Sequence, residues 1–423
     1  MHHFSYKNGE LYCEQVPVRR IVEEFGTPIF IYSRGTLERH FKIFEEPFSN
    51  VPHLICFSMK ACSNLAILRI FSNLGGGVDI VSGGELFRAL RAGISSQKIV
   101  YSGVGKKAAE MDLALDADIL MFNVESEEEL QLLNQRASAK GKKARVALRV
   151  NPNVDPLTHP YISTGLKSNK FGVPIEQALD IYMQASRLKG IDPVGLDCHI
   201  GSQLTELAPF LEAVSILRKL LRKLRDAGVD IRYLDVGGGL GIPYDQETPP
   251  APGDYGAAVL DLVSDMSVSL IMEPGRVLVG NAGIMATQVL YKKQSSDKNF
   301  VIVDAAMNDL MRPSLYKAYH SIIKVAKDDG PTRKIVADVV GPICESGDFL
   351  ARSREMDDPD PGELLAVMSS GAYGFSMSSN YNSRPRSAEV LVDQSNYYLI
   401  RQRETYEDLI RGEIIPGYIL EAK

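Results

Sequence analysis

The sequence has no tryptophan and only five cysteines in 423 residues: Cys13, Cys56, Cys62, Cys198 and Cys344. An odd count without a CxxC pair argues against a disulfide framework and fits a reducing compartment. No apolar stretch approaches the ~20 residues of a membrane-spanning helix. The opening "MHHFSYKNGELYCEQ" lacks the apolar core of a secretory signal, so a cytoplasmic protein is expected. Basic blocks are missing as well. With 47 basic and 53 acidic residues the net charge is −6, which argues against nucleic acid or an anionic membrane as the main partner. Repeats and low-complexity tracts are absent, and "DQETPPAPGDYG" at residues 245–256 reads as a loop.

What is present is enough apolar material, 45%, for two cores, hence two domains. Eight apolar, strand-like runs recur between residues 50 and 275: "PHLICFSM", "GVDIVS", "KIVYSG", "DILMFNV", "ARVALRVN", "VGLDCHI", "RYLDVGG" and "SLIMEP". Segments of helical period separate them. "ESEEELQLL" carries a capping box, Ser126 with Glu129. "LRKLLRKLRDAG" puts Leu217, Leu220, Leu221 and Leu224 on one face and stops at Gly228, and "GGELFRALRAG" stops at Gly93. Eight such units predict an α/β fold, a TIM-like (β/α)₈ barrel over residues 33–280. An open doubly wound sheet is the rival, disfavoured by the lack of a strand followed by GxGxxG. From residue 281 to 423 strand-like runs are joined by irregular segments, which predicts an all-β domain, a sandwich or small barrel. Residues 1–32 hold further strand candidates, "HFSYKNGELYCE" and "TPIFIYS", expected to complete that β-domain.

Chemistry in such a barrel sits at the carboxyl ends of the strands. Read in order, those ends carry Lys60, Asp79, Asn123, Asn151, His199, Gly237–Gly239 and Glu273. Each has a bland alternative. Lys60 alone could be a snorkelling lysine, His199 a core histidine, "DVGGGLGIPY" a turn, and Glu273 in "EPGR" a turn cap. Together they are more specific. A glycine run after the seventh strand lets bare backbone N–H groups approach a phosphate, and Gly275 with Arg276 adds backbone and fixed positive charge. An amine, phosphate donors and a carboxylate for a ring nitrogen are the parts that hold pyridoxal 5'-phosphate (PLP). No metal site is expected. A glutamate facing the pyridine nitrogen stabilises the protonated ring as an electron sink, which favours decarboxylation over racemisation.

These motifs resemble the fold-type III PLP-dependent decarboxylases, and among them the diaminopimelate decarboxylase family, over nearly the whole chain. The matching blocks are "FSMKACSN", "GGGVDIVSGGEL", "FNVESEEEL", "RVNPNV", "KFG", "HIGSQ", "LDVGGGLG", "EPGR", "MRPSLYKAYH", "GPICESGD" and "GAYGFSMSSNYNSRPR". The resemblance implies a PLP barrel with a β-domain, a homodimer with active sites shared across the interface, and decarboxylation of meso-2,6-diaminopimelate to L-lysine and CO₂, the last step of lysine biosynthesis. It implies Lys60 as the Schiff-base lysine, His199 stacked on the ring, and Glu273 on the pyridine nitrogen. Ser202, Gly237, Gly238, Gly239, Gly275 and Arg276 would hold the phosphate; Tyr373 would reach the phosphate or the substrate, and Asp79 would lie near the cofactor.

On the substrate side the resemblance makes Arg312 and Tyr316, with Arg276, a clamp for the distal carboxylate, suited to bidentate guanidinium geometry. A four-residue spacing puts Arg312 and Tyr316 on one face of a short helix. Cys344 and Glu345 resemble residues donated by the partner subunit, the thiol acting near the reacting carbon and the carboxylate accepting the distal ammonium. Relatives commonly have asparagine where Cys62 stands. Alternative readings are a related decarboxylase for ornithine, arginine, carboxynorspermidine or a carrier-bound amino acid, a non-catalytic PLP carrier, and a racemase. The β-domain with "CESGD" opposes the carrier, and Glu273 opposes the racemase.

Overall fold

A computed structural model of the chain describes residues 2–156, 158–159, 162, 164–166, 169–327, 330 and 333–420. The chain divides into two compact units, one built on Arg34–Gly283 and the other on Phe4–Ser33, Ile284–Ser370 and the segment from Met377 onward. Two stretches depart from a simple division at residues 32 and 280: the segment ending at His3 and Gly371–Ser376 both belong to the first unit.

The first unit is a closed barrel of eight parallel strands: β1 (His53–Ser58), β2 (Gly77–Ile80), β3 (Ile99–Tyr101), β4 (Met121–Val124), β5 (Ala144–Asn151), β6 (Ile191–Asp197), β7 (Tyr233–Asp235) and β8 (Ser269–Met272). Each pairs with the next, and β8 pairs with β1 through Leu270–His53, Ile271–Leu54 and Met272–Ile55. Closure leaves no sheet edge and buries the strands on both faces, the reason all eight read as apolar runs without alternation.

Helices fill the outside, and three of them start at side-chain caps. Asn64 Oδ1 accepts from Ala66 N–H at 3.0 Å ahead of Leu65–Asn73, and Ser82 Oγ from Glu85 N–H at 3.2 Å ahead of Gly83–Arg91. The Ser126 box forms only by half. Ser126 Oγ accepts from Glu129 N–H at 3.1 Å, but the Glu129 carboxylate turns to Glu125 N–H (3.1 Å) and the buried ammonium of Lys106 (2.7 Å). The buried ammonium of Lys106 and the Glu125 N–H take the carboxylate in place of the Ser126 N–H. The helix Ala208–Asp226 buries Leu217, Leu220, Leu221 and Leu224, and the chain turns at Gly228 with φ +80°.

The second unit is a mixed sheet with a small antiparallel meander, Phe4–Lys7, Glu10–Cys13 and Val16–Pro17, beside it. The strand Ile29–Ser33 lies between Gly283–Gln294 and Ala388–Asp393 and runs parallel to the latter, so the N-terminal segment completes this sheet. Its side chains Ile29 and Ile31 pack with Ile284, Ala286, Val390 and Val392 in one core. The unit also carries an eight-residue helix, Val18–Phe25, and two strands, Ile322–Lys324 and Phe349–Asp357, that the apolar runs do not announce. Four consecutive polar residues, Arg352 to Glu355, interrupt Phe349–Asp357 and hide it from a search for apolar runs.

Candidate active site

Period two along each barrel strand builds the site in layers. An apolar plug, including Cys56, Val100, Met121, Ala147 and Ile271, fills the barrel interior. Two residues further along every strand stands a polar side chain: Ser58, Asp79, Ser102, Asn123, Arg149, Asp197, Asp235 and Glu273, all buried. Hydrogen bonds run across this layer as well as between adjacent strands. Asn123 Nδ2 donates to Ser102 Oγ (3.2 Å), Asp235 Oδ2 (3.2 Å) and Glu273 Oε1 (3.4 Å), and Ser102 Oγ donates to Glu273 Oε1 (3.3 Å). Ser58 Oγ lies 3.2 Å from Asp79 Oδ2 and 3.0 Å from the Glu273 carbonyl.

The ring carries more negative charge than its cations offset. Asp197, Asp235 and Glu273 each place a carboxylate oxygen within 4.8 Å of the others. Arg149 is shared with Glu125 at 3.2 Å. Burial pushes the Glu273 carboxyl well up, and the neighbouring Asp235, Asp79 and Asp197 push it further. Burial likewise raises Asp235 to about 7 and Asp197 well above the carboxylate range. Three carboxylates at this spacing could hold a cation. With an amine and a phosphate cradle beside them, we read them as the seat of a protonated ring nitrogen.

Lys60 lies just past β1 in the 3₁₀ turn Met59–Ala61, with its side chain 37% exposed at the rim. Its Nζ donates to Asp79 Oδ2 at 3.1 Å, while Asp79 Oδ1 has no hydrogen-bond partner among the described residues. Burial works against the ammonium, but Asp79, Glu273 and Tyr373 outweigh it and raise the amine pKa. Cys62, two residues on, is 3% exposed, a small thiol packed into the wall.

The glycine run is needed for close approach. A Cβ on Gly238 would stand 2.0 Å from the Glu273 carbonyl, and one on Gly239, at φ +114°, 2.4 Å from the Gly201 carbonyl. Two of the three N–H groups already have acceptors: Gly237 N–H donates to Asp235 Oδ1 (3.0 Å) and Gly238 N–H to His199 Nδ1 (3.1 Å). The second bond fixes His199 as the tautomer with a bare Nδ1. Burial, then Arg149 and Lys60, hold its pKa well below the usual value, so the ring is neutral. Direct contact with an oxyanion therefore falls to Gly239 and to side chains. Arg276 donates from Nη2 to Ser202 Oγ (3.1 Å) and from Nη1 to Tyr244 Oη (2.7 Å). The returning segment brings Tyr373, whose ring lies 4.9 Å below the Arg276 guanidinium and whose N–H donates to Ala61 carbonyl at 2.8 Å. A Cβ on Gly275 would stand 3.2 Å from Ser58 Cβ and 3.3 Å from Ala61 Cβ, closer than ordinary contact, with Tyr373 Oη at 3.5 Å. These donors fit PLP: an amine for its aldehyde, a flat neutral imidazole, a proton-holding carboxyl for its ring nitrogen, and donors for its phosphate.

The remaining candidates sit in the second unit. Arg312 is buried and opens the five-residue helix Arg312–Tyr316, with Tyr316 half-buried at its other end. Cys344 and Glu345 lie on an exposed loop built by Asp348, which accepts from Ile343 N–H (2.7 Å) and Met307 N–H (2.8 Å). Cys344 N–H donates to Asn382 Oδ1 (3.0 Å), and Glu345 Oε2 accepts from Tyr381 Oη (2.8 Å). Cys344 is the one exposed cysteine; the other four are buried, and none of the five is in a disulfide.

The strand-end reading missed Ser58, Ser102, Arg149, Asp197 and Asp235 as parts of the site. A signal was available: a polar residue two positions after an apolar or glycine one, in "CFS", "VYS", "ALR", "GLD" and "YLD".

Residues 34–280 match the family model described as "Pyridoxal-dependent decarboxylase, pyridoxal binding domain". The chain is 51% identical over 410 residues to a diaminopimelate decarboxylase of Haemophilus influenzae, covering 97% of this chain and 98% of the relative. It is 50% identical over 413 residues to that of Aquifex aeolicus, covering 97% of each. Among solved structures it superposes on diaminopimelate decarboxylase from M. jannaschii with a TM-score of 0.93 at 39% identity, over 98% of both chains. The Helicobacter pylori enzyme complexed with L-lysine gives 0.89 at 43% identity, over 93% of this chain and 98% of that one.

Proposed function

The chain belongs to the pyridoxal-dependent decarboxylase family, in its diaminopimelate decarboxylase branch, and from that premise we propose that it removes CO₂ from the D-configured carbon of meso-2,6-diaminopimelate to leave L-lysine. It is a PLP-dependent carboxy-lyase. The observation that carries the reading is Glu273, a carboxyl buried at the end of the strand that pairs with the one leading to Lys60.

PLP, when bound, supplies a protonated pyridine ring that takes up the electron pair left as CO₂ departs. The chain's residues prepare that ring. Glu273 would pass the proton that its buried carboxyl holds to a pyridine nitrogen and then accept the N–H as a carboxylate, with Asp235 and Asp197 favouring positive charge there. Lys60 Nζ is the tether for the aldehyde, and Asp79 Oδ2 orients it at 3.1 Å. His199, fixed by Gly238, offers a neutral face that does not compete for the ring's charge. Arg276 and Ser202, braced by Tyr244 and Tyr373, hold the phosphate with Gly239 and the Gly275 backbone.

Substrate contacts belong to the same proposal. Arg312, with Tyr316, binds the carboxylate that stays in the product; its burial and its place at one end of a short helix support this. The protein is read as a cytoplasmic homodimer in which the partner subunit's Cys344 protonates the carbon that has lost CO₂ and the partner subunit's Glu345 takes the distal ammonium. Support comes from the exposure of both residues on a rigidly built loop, where a second chain can reach them. Five cysteines, none in a disulfide, accord with a reducing compartment, and among the described residues no helix is long and apolar enough to cross a membrane.

The test is CO₂ release with added PLP from meso-diaminopimelate, L-lysine, L-ornithine and L-arginine. Turnover of meso-diaminopimelate with release of L-lysine is expected, at least about a hundredfold faster than any of the others. Faster turnover of ornithine or arginine would replace the substrate assignment, and racemised substrate without CO₂ would replace the reaction.

A further inference from the structure

The segment that carries Arg312 contains a second buried side chain, His320, four residues beyond the helix Arg312–Tyr316 and completely inaccessible to solvent. Its two ring nitrogens are both engaged. Nδ1 lies 2.8 Å from the carbonyl of Met368, and Nε2 lies 2.8 Å from Nη1 of Arg312. A carbonyl can only accept, so Nδ1 carries the hydrogen. A guanidinium can only donate, so Nε2 is the bare lone pair. The two contacts thus select one neutral tautomer. The backbone is held as firmly: Arg354 Nη1 donates to the His320 carbonyl at 2.7 Å, and Met368 N–H donates to the Ser321 carbonyl at 2.8 Å.

We propose that His320 is a positioning residue for the substrate: it fixes the plane of the Arg312 guanidinium so that it meets the distal carboxylate of a 2,6-diamino diacid. The proposal rests on the reading of Arg312 as the carboxylate clamp. Arginine has four side-chain torsions, and ordering them on binding is costly; a guanidinium already anchored at Nη1 has spent that entropy in folding. The anchor's chemistry matters too. A neutral imidazole holds Nη1 without adding a negative charge that would compete with the substrate, as an aspartate or glutamate there would. His320 therefore separates ligands that carry the distal carboxylate, such as meso-diaminopimelate and L-lysine, from a plain diamine.

The test compares His320→Leu with His320→Gln in the PLP-loaded enzyme. In the leucine variant, KM for meso-diaminopimelate and the Kd of L-lysine by calorimetry should both rise about tenfold or more, with kcat within about threefold. The Kd of 1,5-diaminopentane and the absorbance of the bound cofactor should not move. Glutamine can donate to Met368 and accept from Arg312, so it should return KM to within about threefold of wild type. Placed in an Arg312→Ala background, His320→Leu should change KM less than about twofold. If Arg312→Ala alone leaves KM unaltered, the clamp reading fails and the proposal goes with it. If Arg312→Ala raises KM while His320→Leu leaves KM and the L-lysine Kd in place, the role of His320 alone is overturned. A fall in kcat at constant KM, or weaker 1,5-diaminopentane binding, would also overturn it. Should the leucine variant lose its near-ultraviolet dichroism, His320→Asn, too short to span both partners, replaces it with the same expected outcomes.

Discussion

Lys60 shows how little one residue type says by itself. A lysine at a strand end is compatible with a solvated surface, and its side chain is indeed 37% exposed. What distinguishes it is Asp79 at 3.1 Å and a field of buried carboxylates that outweighs desolvation. Lys60→Ala should therefore lose the cofactor's protein-bound absorbance and leave no borohydride-reducible adduct; a surviving adduct would move the tether to another lysine. Asp235 is the reverse case, a carboxyl no motif singled out. Burial lifts it to about 7, against ~3.9 in an unfolded chain. Between those values the folded, cofactor-free protein binds more protons than the unfolded one. Its stabilisation is complete below pH ~4 and is lost as pH rises through about 7. Asp235→Asn should flatten the fall in the cofactor-free Tm between pH 5 and pH 8 by roughly 3 °C or more. An unchanged slope, measured by calorimetry, would show that Asp235 does not carry that proton.

At the scale of elements, the glycine loop after β7 and the eight strands divide the work. All eight strands were legible because a barrel buries both faces and so needs apolar residues at nearly every position. The loop was legible as a place for an anion, but its internal bonds were not: the N–H groups of Gly237 and Gly238 serve Asp235 and His199. Those bonds make the loop a brace for Asp235 and His199, beside the phosphate contact proposed for Gly239. Gly238→Ala would force a Cβ to within 2.0 Å of the Glu273 carbonyl. It should weaken PLP retention at least about tenfold and cost about 1–3 kcal/mol in urea denaturation. Gly228→Ala is the contrast. There φ is +80° with nothing within 4 Å of the added carbon, so about 1 kcal/mol of stability should go while PLP affinity stays. Equal losses of PLP in both would remove the loop's special role.

For the molecule as a whole, the proposed homodimer makes a statistical prediction. If the tether and the proton donor act from different chains, neither Lys60→Ala nor Cys344→Ala homodimers have a complete site. Mixed dimers regenerate one of two. Equal amounts of the two proteins, exchanged and recombined, should recover about a quarter of wild-type activity. No recovery despite exchange shown by mass spectrometry would place both groups in one chain. The surface position of Cys344, its loop held from behind by Asp348, is what such sharing requires of the donor.

The sequence alone determined the barrel, the cofactor class and the family, because strand burial and a cofactor's parts list both require particular residue types in a fixed order. It also carried the N-terminal strand Ile29–Ser33, though not its parallel neighbour Ala388–Asp393, which lies more than 350 positions away. Only the tertiary structure decided how the parts act on one another. It showed that the eight strands each bring one buried polar side chain to a common layer, that Asp197, Asp235 and Glu273 crowd within 4.8 Å of one another, and that His199 and His320 are each held in a single neutral tautomer. Those are matters of distance and desolvation between residues far apart in the chain, and a linear sequence records neither.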